Sequence, residues 1–185
     1  MNTKSILLIL LTICLPLAGA EKPPTEKQIA EVKARAEKGD AKASGLLARY
    51  YFNGLGLQKD TAEALKWARI AAQKGDSNGQ NVLGVLYERG EGVEKDLKEA
   101  LGWCRKAADQ GNAKAQYNLS YKYGMGRGVE RDLVEADKWM RKSAEQGFAP
   151  AQNILGGVYY SGQGVEQDFK EAVKWFQKAA DQGNA

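Results

Sequence analysis

The 185-residue chain carries 27 Lys and Arg against 23 Asp and Glu, a net charge of +4, with two Cys, four Pro, 21 Gly and no His. The missing His removes Ser-His and Cys-His nucleophile pairs, imidazole zinc sites and a His general base. A hydrophobic fraction of 43% beside 27% charged residues is that of a folded protein rather than a disordered one.

In chain order, the first element is a targeting segment. Lys4 precedes an apolar run from Ile6 to Leu17, and Ala18-Gly19-Ala20 follows. A short basic start, an apolar core and small residues at both cleavage positions predict a secretory signal peptide over 1–20, cut after Ala20. The run is shorter than the roughly 20 apolar residues that span a bilayer, so no stable membrane insertion is expected. A lipoprotein reading through Leu11-Thr12-Ile13-Cys14 is weaker, because bulky Ile13 stands before the cysteine. Cleavage leaves Cys104 alone, hence no internal disulfide framework, and a periplasmic or secreted location is expected.

Residues 21–38 read as a linker and an N-terminal capping helix. Pro23-Pro24 sets off a helical stretch beginning at Thr25, and Glu31 stands where later helices carry Trp. A polar residue on the open side suits the terminal unit of a stacked array.

From residue 39 to 185 one unit is written four times, at about 39–74, 75–110, 111–146 and 147–182. Trp67, Trp103, Trp139 and Trp175 are 36 residues apart, and Leu47, Leu83, Leu119 and Leu155 keep the same step, as do Tyr51, Tyr87, Tyr123 and Tyr159. Such self-similarity marks a repeat architecture. Within each unit, Ala115, Leu119 and Tyr123 or their equivalents fall on one face of a first helix, A. A G-x-G pair such as Gly90-x-Gly92 follows, then Asp60, Asp96, Asp132 or Asp168 with Glu three residues on. That spacing predicts a capping box opening a second helix, B. Helix B carries Ala64, Trp67, Ala71 and Ala72 or their equivalents and ends at Gly75, Gly111, Gly147 or Gly183.

Chemical readings of these features are weaker than structural ones. The G-x-G pairs lack the third Gly, the Lys-Ser/Thr and the strand of a phosphate loop. The Asp/Glu pairs recur in every unit at cap spacing, which a catalytic pair has no reason to do. Cys104 aligns with Ala68, Met140 and Phe176, so it reads as apolar filler. Basic and acidic residues alternate without a Lys/Arg block, which excludes an evident nucleic-acid site. No cofactor or metal motif is present.

The unit A-x-x-x-L-G-x-x-Y-x-x-G-x-G-V-x-x-D-x-x-E-A-x-x-W-x-x-K-A-A-x-Q-G, carried nearly whole from Leu83-Gly84 to Gln110-Gly111, resembles the Sel-one-like repeat, a longer relative of the tetratricopeptide repeat. The chain departs from it at Leu57, Ala48, Ser120 and Ser143, and it lacks the Cys pairs of the family's disulfide-rich branch. The resemblance implies an all-α, right-handed α/α superhelical solenoid of nine helices, with A helices on the concave face and B helices outside. It also implies a non-enzymatic protein–protein interaction module. Exported relatives include envelope-assembly factors, host-interaction proteins and periplasmic immunity proteins that neutralise a toxin delivered by a secretion system. The alternatives are a cell-wall or β-lactam hydrolase, and a glycan-binding envelope protein.

Tetratricopeptide-like units read partners two before, two after and five after the repeat Leu. Here these positions hold Gly45, Arg49 and Phe52; Asn81, Val85 and Glu88; Tyr117, Tyr121 and Gly124; Asn153, Gly157 and Tyr160. The expected partner site is Arg49, Phe52, Asn81, Glu88, Tyr117, Tyr121, Asn153 and Tyr160, aromatic anchors among polar groups. The last helix B keeps an internal apolar pattern through Val173, Trp175, Phe176 and Ala179, so weak self-association through that end is expected.

Overall fold

The computed structural model describes residues 23–182. The expected signal peptide, the mature start at Glu21 and the glycine at 183 lie outside them. Among the described residues there are nine α-helices and no strand: α1 (Glu26–Glu37), α2 (Ala41–Asn53), α3 (Thr61–Gln73), α4 (Ser77–Arg89), α5 (Leu97–Asp109), α6 (Ala113–Met125), α7 (Leu133–Glu145), α8 (Ala149–Ser161) and α9 (Phe169–Ala180). The cap is α1, the A helices are α2, α4, α6 and α8, and the B helices are α3, α5, α7 and α9. The all-α, helix-turn-helix repeat architecture is the expected one. None of these helices is long and apolar enough to cross a membrane.

The helix boundaries follow from local chemistry. Each B helix starts where an Asp carboxylate accepts backbone N–H groups: Asp60 from Ala62 and Glu63, Asp96 from Lys98 and Glu99, Asp132 from Val134 and Glu135, and Asp168 from Glu171. These donors are the orphans of a helix start, and the macrodipole favours the negative charge there. The other half of the capping box differs from expectation. The Asp60, Asp96, Asp132 and Asp168 N–H groups donate to the carbonyls of Tyr51, Tyr87, Tyr123 and Tyr159, at 3.0 to 3.1 Å. The acidic residue is thereby released for other work: Glu63 accepts from Trp67 Nε1 at 2.9 Å and Glu135 from Trp139 Nε1 at 3.1 Å. A full box occurs at Thr25 and Gln28, which open α1.

The B helices α3, α5 and α7 stop as predicted. Gly75, with φ of 84°, takes the left-handed conformation just past α3, and Gly75 and Asp76 donate back to Ala72 and Ala71. The glycines of each G-x-G turn also have positive φ, the first of them capping the A helix.

The described residues form two compact units, 23–115 and 116–182, with the division falling within α6. In the first, Val32, Ala36, Ala43 and Leu47 join α1 to α2, while Ala48, Phe52, Leu65, Ala68, Val82, Leu83 and Leu86 join α2, α3 and α4. Trp67 packs against both groups, filling the seam as expected. In the second, Met140, Ala144, Ile154, Leu155, Val158 and Trp175 join α7, α8 and α9. Burying each of the Val, Leu, Ile, Phe and Met side chains among these contributes about 1.5–3 kcal/mol. Small residues allow the approach: a Cβ on Gly84 would stand 3.1 Å from the Ala100 carbonyl, and one on Gly156 would strike the Phe176 ring.

Candidate partner-binding site

The expected site residues sit on four A helices and are taken within each compact unit. In residues 23–115, Arg49 on α2 and Glu88 on α4 are half-buried, and both are engaged by neighbours. Phe52, only 8% exposed, is part of the core between α2, α3 and α4 rather than an open anchor. The Lys59 ammonium and Arg89 guanidinium lie over its ring at 5.9 and 5.5 Å. Asn81 is buried as well. Val85 is half-buried against the same core.

Gly45 is buried for a close approach between helices. A Cβ there would collide with the carboxylate of Asp76, which caps α4 by accepting from Gly79 N–H at 2.9 Å. Burial pushes the Asp76 carboxyl above its ordinary range, and hydrogen bonds from the Gly79 and Asn78 N–H groups only partly offset this.

In residues 116–182, Tyr117 and Tyr121 are half-buried one turn apart on α6. The Tyr117 ring meets Phe148 edge-on with centroids 5.3 Å apart, and the Arg127 guanidinium lies 5.3 Å from the Tyr121 ring. Asn153 and Gly157 on α8 are half-buried, whereas Gly124 is buried. Tyr160, 59% exposed, is the most open of the eight, and its ring meets Phe169 edge-on at 5.5 Å.

Several arrangements escape the sequence reading. Each Gln of the Q-G pair reaches back 30 residues: Gln110 Nε2 donates to Gln80 Oε1 at 2.7 Å, Gln146 to Gln116 at 2.6 Å and Gln182 to Gln152 at 2.8 Å. The lysine three after Trp lies over the indole, Lys106 on Trp103 at 4.2 Å and Lys142 on Trp139 at 4.3 Å. Lys122 is buried in α6 where Leu86 and Val158 stand in other repeats, and it too is engaged. Cys104 is buried, as expected, and its thiol donates to the Ala115 carbonyl at 3.3 Å. Among the described residues no group of His, Cys, Asp and Glu could hold a metal ion.

The family profile of the Sel1 repeat matches residues 41–76, 77–112, 113–148 and 149–184. Among curated proteins none matches this chain. Among solved structures, a protective antigen of uropathogenic Escherichia coli with an SLR fold is 42% identical, with a TM-score of 0.66 over 84% of this chain and 33% of its own. A Sel1 repeat protein from Oxalobacter formigenes is 32% identical, with a TM-score of 0.73 over 83% of this chain and 61% of its own. An immunity protein from Pseudomonas aeruginosa, 24% identical with a TM-score of 0.62 over 91% of this chain and 64% of its own, shares the fold. The chain thus spans about a third of the first and three-fifths of the second.

Proposed function

The chain belongs to the Sel1 repeat family, and from that premise we propose that it is an exported, non-catalytic protein-binding module that holds one partner against its A helices. The observation that carries this reading is the contrast between positions within the A helices. Leu47, Leu83, Leu119 and Leu155 are the same residue in the same buried place, while the half-buried groups two residues further on change in size and charge, and those five residues further on change in exposure as well, from buried Phe52 to exposed Tyr160. A surface that varies on a constant frame suits recognition of one partner. Tyr121 and Arg49 are of the types that dominate interface energetics.

The specific form we assign is an immunity protein acting in the bacterial periplasm. Support comes from the signal-like segment at 1–20 and from the fold shared with the Pseudomonas aeruginosa immunity protein. The partner is then a toxin that arrests growth when made in the periplasm without this chain. Affinity capture from periplasmic extract should retain one protein, and Arg49→Ala or Tyr121→Ala should weaken its binding by about 1–3 kcal/mol with the fold intact. Unchanged calorimetric affinity in the double variant would move the contact off the A helices. Hydrolysis of a cell-wall or β-lactam substrate by the purified chain would replace the binding reading with the enzymatic one.

A further inference from the structure

A second surface lies on the B side of the first unit. An open cavity of about 670 Å³ is lined by Lys59, Thr61, Ala62, Leu65, Lys66, Arg69, Glu91 and Gly92. Ala62, Leu65, Lys66 and Arg69 fall at i, i+3, i+4 and i+7, so α3 presents them as one stripe. The turn after α4 forms the facing wall, where Gly92 lies against the Thr61 and Leu65 side chains. Three cations therefore face one carboxylate. Lys66 is bridged to Glu63 at 3.0 Å and Lys59 stands 3.8 Å from Glu91. Arg69 is exposed, and its guanidinium makes no hydrogen bond or ion pair among the described residues.

The equivalent arginine in the second unit explains the difference. Arg141 Nε donates to Asp137 at 2.7 Å and its Nη1 to the Tyr159 hydroxyl at 3.1 Å. Burial disfavours the Arg141 cation, yet those two acceptors hold its pKa above the ordinary value. Four residues before Arg69 the chain has Leu65 in place of an acid. Nothing internal neutralises the guanidinium, and an acid from outside has the position open to it.

We propose that this cavity binds a carboxylate-bearing segment of a protein partner, with an Asp or Glu side chain paired to Arg69 and flanked by Lys59 and Lys66. A guanidinium matches a carboxylate fork for fork. The Glu91 carboxylate opposes a doubly charged phosphate more than a singly charged side chain. The cavity lining also holds no aromatic face on which a nucleobase could stack. The inference rests on the protein-binding reading and adds an acidic contact on the B side of the first unit.

The test is an NMR titration of the full chain with a short peptide of alternating Glu and Ala, beside a matched Gln and Ala peptide and inorganic phosphate. Saturable shifts are expected at the amides of residues 59–69 and 91–92. They should weaken as salt is raised, and Arg69→Glu should lower affinity at least tenfold with an unchanged melting temperature. Arg49→Ala/Tyr121→Ala should bind the peptide as the parent does, so loss of partner capture in that variant and loss of peptide binding in Arg69→Glu report separately. Absence of binding, shifts elsewhere, equal binding of the Gln peptide, or equal binding of phosphate at the same amides would each overturn the proposal.

Discussion

At the scale of single residues, the cap positions show how one backbone demand is met by different side chains. Asp40, Asp76 and Asn112 open α2, α4 and α6 by accepting from Ala43, Gly79 and Ala115 N–H. Phe148 opens α8 without a side-chain hydrogen bond and spends its ring on Tyr117 instead. Asp40 and Asp76 titrate in opposite directions. The Ala43 N–H and the Arg35 guanidinium hold the Asp40 carboxyl below its ordinary range, whereas burial holds Asp76 above it. A carboxyl with a raised folded pKa adds stability that is complete below its unfolded pKa and is lost as pH rises through the folded one. At neutral pH the Asp76 charge therefore counts against the fold. Asp76→Asn should keep the cap, as Asn112 does, and raise the melting temperature at neutral pH, with the gain shrinking on acidification. Thermal melts across the carboxylate range check this, and a variant less stable than the parent at neutral pH would contradict it.

At the scale of the element, the A helix of each of the last three repeats is tied to the end of its own B helix by a polar clasp as well as by apolar packing. Gln80 is buried, and its amide oxygen receives Gln110 Nε2 from the end of the next B helix. Removing one member strands a buried polar group, which costs about 1–3 kcal/mol, whereas replacing both with apolar groups of similar shape is close to neutral. Gln110→Ala should thus destabilise by about that amount in urea unfolding. The double variant Gln80→Leu/Gln110→Leu should recover most of the loss. Equal stability of the single variant and the parent would mean that water replaces the clasp without cost.

At the scale of the whole chain, the described apolar surface is unevenly distributed. Of the large hydrophobic side chains left exposed, Phe169 at 55% and Val173 at 63% lie one turn apart on α9, beside exposed Tyr160 and Phe176. In the first unit the position equivalent to Val173 is Leu65, which is buried with Val82, Leu83 and Leu86 of α4. An uncovered patch of this kind favours association. Light scattering should show the apparent mass rising with concentration, and Phe169→Lys/Val173→Lys should hold it at that of a monomer. A parent protein that stays monomeric at high concentration would contradict this.

The 36-residue period, the Asp at each B-helix start and the Gly at each B-helix end were legible in the amino-acid order, because they are local demands met within a few residues. Orphan N–H groups need an acceptor two or three positions away, and a left-handed residue needs no Cβ. The candidate site was legible only as positions on A helices. That Tyr160 is open while Phe52 and Asn81 are buried depends on which neighbouring helix covers each, and helical periodicity alone does not say so. The same limit hid the second half of the cap. Asp60 N–H finds the Tyr51 carbonyl across the intervening turn, which frees Glu63 for Trp67. Arg69 and Arg141 occupy one register position, and the order of residues already shows Leu65 where the second has Asp137, but the Tyr159 hydroxyl that completes the shell of Arg141 is brought there from 18 residues away by the fold.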